Sequence, residues 1–346
     1  MNKLLTIVIP TYNMQAYLHR CLGSLILEDE KLMERFEVLV INDGSKDNSS
    51  AIAHEYEATY PNTFRVIDKE NGNYGSCINR GLKKATGKYI KVLDADDWFD
   101  TDEFSSYINE LCKLEADMIL TDYQIVDESG KMIKKMVYND IVPCKSFAFQ
   151  EYTNPGVYFA MHSITYRTEM LRKIGYRQTE GISYTDTEWV YYPQHGVKTC
   201  IYLPFDVYRY VVGREGQTMD SKVLLKSAYH YDKLLRAMVL FGNSLSEEDK
   251  KLYTYQRLEA QITHLSTGVY RTCLVLQDTD NYDEEIIKSF DEFMRQERPY
   301  VYKEAGKLIL KKFLPIHYVR YWRITGKRFS VDWIRDTYRR IRYGKN

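Results

Sequence analysis

From Leu4 to about residue 127, short apolar runs rich in β-branched residues alternate with stretches whose apolar side chains recur every three or four positions. The runs Leu4–Ile9, Glu37–Ile41, Arg65–Asp68, Lys88–Leu93 and Asp117–Thr121 predict strands. Between them Leu18, Cys21, Leu22 and Leu25 fall on one helical face. Ile78, Leu82 and Ala85 fall on another, which Gly87 is expected to end as a C-cap. Alternation of this kind gives βαβ units, so the fold class is α/β with a Rossmann-like, mostly parallel central sheet. From about 128 to 220 the pattern predicts a turn at Glu128-Ser129-Gly130-Lys131, antiparallel strands, and a helix from near Asp186 towards His195. Beyond about 222 only the helical period remains, as in Leu224, Ala228, Tyr231, Leu235 and Met238. This change places a boundary near Asp220, dividing residues 1–220 from an α-helical C-terminal region at 221–346.

Composition adds limits. With 44% hydrophobic and 28% charged residues, the 346-residue chain is neither disordered nor fibrous. Its 31 tyrosines suit amphipathic surfaces such as sugar sites. The six cysteines show no CxxC pair, which predicts reduced core residues in a cytoplasmic protein. The apolar N-terminal stretch runs into Pro10 and reads as a first strand, not a signal peptide. No apolar stretch is long enough to span a bilayer. The histidines show no HExxH or paired spacing, and each is expected to be structural or superficial, with a place on the acceptor side left open for His162.

A formal net charge of zero hides a surplus of ten positive charges after Tyr300. There, cations interleave with aromatics: Tyr318, Arg320, Tyr321, Trp322 and Arg323, then Trp333, Arg335, Tyr338 and Arg340. Two readings stay open, an interfacial helix on anionic membrane at the inner face, or a helix packed on its own domain. Nucleic acid is not expected as a partner.

Ligands of open α/β sheets bind beyond the carboxyl ends of the strands. There the sequence has Pro10-Thr11-Tyr12-Asn13, Asn42-Asp43-Gly44-Ser45 and Asp94-Ala95-Asp96-Asp97. Crowded carboxylates at a sheet edge suit a divalent cation, Mn²⁺ or Mg²⁺, held by Asp96 and Asp94. Zinc would call for His or Cys partners. The competing reading is a solvated acidic loop with Asp102 capping the next helix. No GxxxxGK loop occurs, and Gly72-Asn73-Tyr74-Gly75 lacks GxGxxG spacing, so kinase and dehydrogenase readings fall away. The stretch Asn71–Gly75 stays open between a plain loop and a ligand contact.

Over about residues 4 to 220 these motifs, in order and spacing, resemble the inverting family-2 glycosyltransferases of GT-A fold, of bacterial surface-glycan type. The likeness rests on Ile7–Asn13, Val40–Asp47, Asn71-Gly72 through Asn79-Arg80-Gly81, Ala85–Ile90 and Leu93–Asp97. It implies a metal-dependent transferase that moves a sugar from a nucleotide-sugar, a UDP-sugar, to a glycan or lipid-linked acceptor in polysaccharide synthesis. The implied donor-site residues are Pro10, Thr11, Tyr12, Asn13, Asp43, Asn71, Gly72, Asn79, Asp94, Ala95 and Arg214. Asp43 would accept a bond from uracil, Asp96 would bind the metal, and Arg214 would neutralise the leaving diphosphate. Asp186 is the implied general base, with Thr185 standing where the family commonly has Glu. By its own spacing Thr185-x-x-Glu188 is also a capping box, which would place Asp186 in a first helical turn and lower its pKa unless desolvation on substrate closure raises it again. The processive Gln-x-x-Arg-Trp motif is missing, which implies one transfer per encounter. Two alternatives are a sugar nucleotidyltransferase, which needs a Gly-rich basic loop not found here, and a catalytically idle nucleotide-sugar-binding module.

Overall fold

The computed structural model describes residues 3–154, 156–214, 228–277, 282–311 and 314–328. Two compact units emerge, residues 1–215 with 246–257, and residues 216–245 with 258–346. In the first, β1 (Leu5–Thr11), α1 (Leu18–Gly23), α2 (Glu30–Met33), β2 (Phe36–Asn42), α3 (Ser49–Thr59), β3 (Phe64–Asp68), α4 (Asn73–Lys84) and β4 (Tyr89–Val92) form the expected alternation. There follow β5 (Trp98–Phe99), α5 (Thr101–Leu111), β6 (Met118–Val126), β7 (Met132–Met136), β8 (Ser146–Ala148), β9 (Ile164–Arg167), α6 (Thr168–Lys173), α7 (Asp186–Tyr191) and β10 (Thr199–Val211).

The strands make one mixed sheet in the order β3-β2-β1-β4-β9-β6-β10-β5, with β7 beside β6 and β8 beside β10. β1 to β4 run parallel, whereas β9 inserts antiparallel between β4 and β6. All seven residues of β2 are buried, as both-face coverage by helices demands. The parallel register brings Thr11, Asn42 and Asp68 level at one edge, and Leu93 continues β4 there through its N–H to the Val8 carbonyl at 3.0 Å. The mouth is therefore set by strand register. The turn before β7 is held by Asp127, whose carboxylate accepts from the Ser129 and Lys131 N–H groups.

Three local expectations are corrected. α4 ends at Lys84 with Ala85 as its cap, and Gly87 serves close packing instead, since a Cβ there would lie 2.5 Å from the Thr6 nitrogen. Asp100, not Asp102, caps α5 by accepting from the Glu103 N–H at 3.1 Å. Cys112 and Cys144 are exposed, while the other four cysteines are buried, and all six are free thiols.

The second unit contains α8 (Ala228–Ser244), most of α9 (Tyr253–Arg271), α10 (Glu284–Glu297) and α11 (Pro299–Ala305). It is not purely helical, because β11 (Ile309–Lys311) and β12 (Leu314–His317) form a hairpin before α12 (Tyr318–Thr325). Of the basic end, α12 packs within its unit: Tyr318, Val319 and Trp322 are buried, and Arg323 pairs with Asp291 at 2.6 Å over the Tyr302 ring. Trp333, Arg335, Tyr338 and Arg340 lie outside the described residues, as do Asp220 and Leu224. Among the described residues no helix is long and apolar enough to cross a membrane.

Candidate active site

The loop after β1 is stapled to the loop after β2. The Asn13 side chain accepts from the Lys46 N–H at 2.8 Å, and the Asn13 N–H donates to Ser45 Oγ at 3.1 Å. Asn13 adopts left-handed φ of 53°, a conformation asparagine tolerates. Gly44 at φ +73° passes 3.3 Å, measured from an ideal Cβ, from the Lys69 and Asn71 backbone, so a side chain there would meet both strain and contact. Pro10 and Thr11 end β1, with the Thr11 hydroxyl turned back to the Ile9 carbonyl, whereas the Tyr12 ring is 45% exposed beside them. A cleft of about 600 Å³ opens here, lined by Tyr12, Gly44, Lys46 and Asn71 among others.

Asp43 is buried behind this cleft. Its Oδ1 accepts from the Lys69 ammonium and from the Gly72 N–H at 3.0 Å, and Asn71 Nδ2 donates to its carbonyl at 3.0 Å. The Lys69 and Gly72 bonds both fall on Oδ1, and the Cys77 thiol also hydrogen-bonds this carboxylate. Asn71 and Gly72 thus act by fixing Asp43. Asn79, expected at the donor site, faces elsewhere. Its amide is consumed by Gln178 and Glu180.

The Asp94–Asp97 turn is not a solvated loop. Asp96 and Asp97 are buried, as is Ala95. Asp97 accepts from the Tyr208 hydroxyl at 2.7 Å and from the Val211 N–H at 2.8 Å, which fastens the turn to β10. Asp94 accepts from the Tyr74 hydroxyl at 2.8 Å. Burial first and the Asp96 charge second push the Asp94 carboxyl up to about 7. Asp96 pairs with Arg214 at 2.6 Å, and that guanidinium also faces the Tyr17 ring.

The donor set fits a hard divalent cation. Asp94 and Asp96 offer oxygen ligands whose mutual repulsion such an ion would relieve, whereas both Asp97 oxygens are already engaged. His162, expected to be structural or superficial, lies beside the acidic turn. Its ligand atom lies within 4.8 Å of those of Asp94 and Asp97, and its buried Nδ1 has no hydrogen-bond partner. Burial holds it neutral, down to about 3, as a ligating imidazole must be. The ring stacks on Tyr210 at 4.1 Å, and the Lys91 ammonium donates to the His162 carbonyl at 2.8 Å.

Asp186 begins α7, but not through a capping box. Thr185 Oγ1 is buried without a partner, and Glu188 turns away to accept from the Thr179 N–H at 2.6 Å and hydroxyl at 2.7 Å. Tyr184 before it holds φ of +69°. The expected fall in pKa is reversed: burial raises the Asp186 carboxyl to about 6, outweighing hydrogen bonds from its own N–H and that of Thr187. Its charge acts on Asp94, Tyr74 and Tyr158, which places it at the same mouth. Tyr158, 57% exposed, offers a ring at this edge.

Sequence reading missed Lys69 and Tyr74, and it did not foresee that His162 and Tyr208 meet the acidic turn. Only Lys69, one residue past β3, stood where the rule of strand ends would have found it.

The family model "Glycosyl transferase family 2" matches residues 6–175. Over 103 residues the chain is 44% identical to "Uncharacterized glycosyltransferase MG025" of Mycoplasma genitalium, covering 29% of this chain and 34% of that one. Over 104 residues it is 36% identical to "Minor teichoic acid biosynthesis protein GgaB" of Bacillus subtilis, covering 30% and 11%. The matched segments therefore span about a third or less of these relatives. S. aureus TarS 1–349 in complex with UDP shares the fold at a TM-score of 0.61 and 17% identity, covering 99% of this chain and 92% of that one.

Proposed function

Given that the chain belongs to glycosyl transferase family 2, through its residues 6–175, we propose that it transfers one sugar from a UDP-sugar to a hydroxyl of a cell-surface glycan or lipid-linked acceptor, with inversion. The observation that carries this reading is the convergence at one mouth of three carboxylates in different states. Asp43 is ion-paired, Asp94 is raised to about 7 beside Asp96, and Asp186 is raised to about 6. Environments that push titratable groups apart are how acid–base roles are divided.

In this mechanism the Asp43 carboxylate accepts a uracil N–H, and Tyr12 covers the base. Asp94 and Asp96 would hold Mn²⁺ or Mg²⁺, which would supply positive charge to neutralise the donor diphosphate. Asp186 accepts the acceptor hydroxyl's proton as that oxygen bonds to the anomeric carbon and the bond to the diphosphate breaks. A carboxyl near 6 is a better base than an ordinary one while staying ionised at neutral pH. Arg214 exchanges Asp96 for the departing diphosphate, a cation placed where negative charge grows. The name of GgaB supports an acceptor in surface-glycan assembly.

The test is a screen of UDP-, GDP- and dTDP-sugars for donor turnover and for protection against thermal unfolding with Mn²⁺. Preference for a UDP-sugar supports the reading. Absence of any donor preference sinks it and leaves the idle binding module.

A further inference from the structure

A second cleft, of about 540 Å³, lies along α4, within the usual range of small-molecule sites. One wall is the α4 face carrying Ser76, Asn79, Arg80 and Lys83, and the other is Arg172 with the loop through Arg177 and Glu180. Five cations meet one carboxylate. Two of the five are neutralised, Lys69 by Asp43 and Arg177 by Glu180 at 2.9 Å. Among the described residues the Arg172 guanidinium donates only to the Leu82 and Ala85 carbonyls, at 2.9 and 2.7 Å. The side chains of Arg80 and Lys83 have no ion pair or hydrogen bond among the described residues. Among the described residues, three exposed cations thus line one concavity without a carboxylate partner, a concentration of positive charge that favours an anion.

We propose that this cleft binds a phosphate-bearing ligand, separate from the donor nucleotide. Guanidinium groups on both walls suit tetrahedral phosphate oxygens. Of the residues lining the two clefts only Lys69 is common, and its ammonium bonds Asp43 on one side and Ser76 Oγ at 2.8 Å on the other. The loop of the far wall includes Thr179, which holds Glu188 of α7, the helix that Asp186 begins. The cleft is thus joined to the donor side through Lys69 and, through Thr179 and Glu188, to the helix that carries Asp186. Two sources share this chemistry, a phosphodiester chain in the acceptor and free phosphate.

The experiment measures binding by calorimetry to the full chain saturated with UDP and Mn²⁺, so that the donor mouth is filled. One arm uses a synthetic glycerol phosphate oligomer, the other inorganic phosphate. The expected result is binding that weakens at least tenfold in Arg80→Glu/Lys83→Glu and severalfold in the gentler Arg80→Ala/Lys83→Ala. Lys31→Glu/Lys113→Glu, an equal charge reversal elsewhere, leaves it unchanged. An oligomer favoured at least tenfold over phosphate assigns the cleft to an acceptor chain, and parity assigns it to free phosphate. Equal binding in wild type and both cleft variants, or equal losses in the control, overturns the proposal. Should UDP fail to bind, the transferase reading fails, but the oligomer arm still reads the cleft.

Discussion

Replacing Asp186 with Asn is expected to abolish transfer and stabilise the fold. Burial holds the native carboxyl at about 6 against a reference value of 3.8. Between those values the native state binds more protons than the unfolded chain, so stability falls as pH rises through that window. The full displacement corresponds to about 3 kcal/mol at neutral pH, at about 1.4 kcal/mol per pH unit. The side chain is only half-buried, so solvent screening reduces this, and about 1–2 kcal/mol is expected. Asp186→Asn should therefore unfold at higher denaturant than wild type at pH 7.5, with the gap closing towards pH 4. Donor turnover should drop by roughly a thousandfold or more, and wild-type kcat/KM should fall about tenfold per unit below pH 6. Urea denaturation of both proteins at the two pH values, followed by fluorescence, measures the gap. If the variant is no more stable at pH 7.5, or its advantage is the same at pH 4, the reasoning is wrong.

Arg214→Ala should tighten Mn²⁺ binding severalfold, because it frees Asp96 from a competing cation, yet lower kcat by about a hundredfold. Calorimetry and steady-state kinetics read the two effects. Lys69→Met should raise the KM for UDP-sugar about tenfold with little change in kcat and narrow the preference for UDP over GDP, while Lys69→Arg restores much of it. Gly81→Ala should cost roughly 1–3 kcal/mol in thermal unfolding, since its Cβ would lie 2.5 Å from a methyl of Val8.

The parallel half of the sheet and its mouth were legible because their information is local. A strand ends, the chain turns, and polar residues follow at once. The acidic turn was legible for the same reason. Its partners were not, because Tyr208 reaches Asp97 across 111 residues of sequence and Arg214 reaches Asp96 across 118. The Thr185–Glu188 cap failed because Thr179, brought in by the loop, outcompeted the helix N-terminus for the glutamate. The pKa of Asp186 followed the same course, since a local rule about helix ends gave way to burial that only the folded chain creates. His162 carried no spacing signal; antiparallel insertion of β9, two residues on, sets it beside Asp94. The hairpin in the second unit is short enough that a few residues of β period were lost within a helical region.

The central claim is that Asp94 and Asp96 hold a divalent cation against a nucleotide-sugar diphosphate. Its most direct test is UDP-sugar turnover titrated with Mn²⁺ in wild type and in Asp96→Ala. Turnover that requires the metal in wild type, is quenched by EDTA, and falls at least a hundredfold in the variant is the predicted result. Equal turnover by the two proteins, or turnover indifferent to the metal, would contradict it.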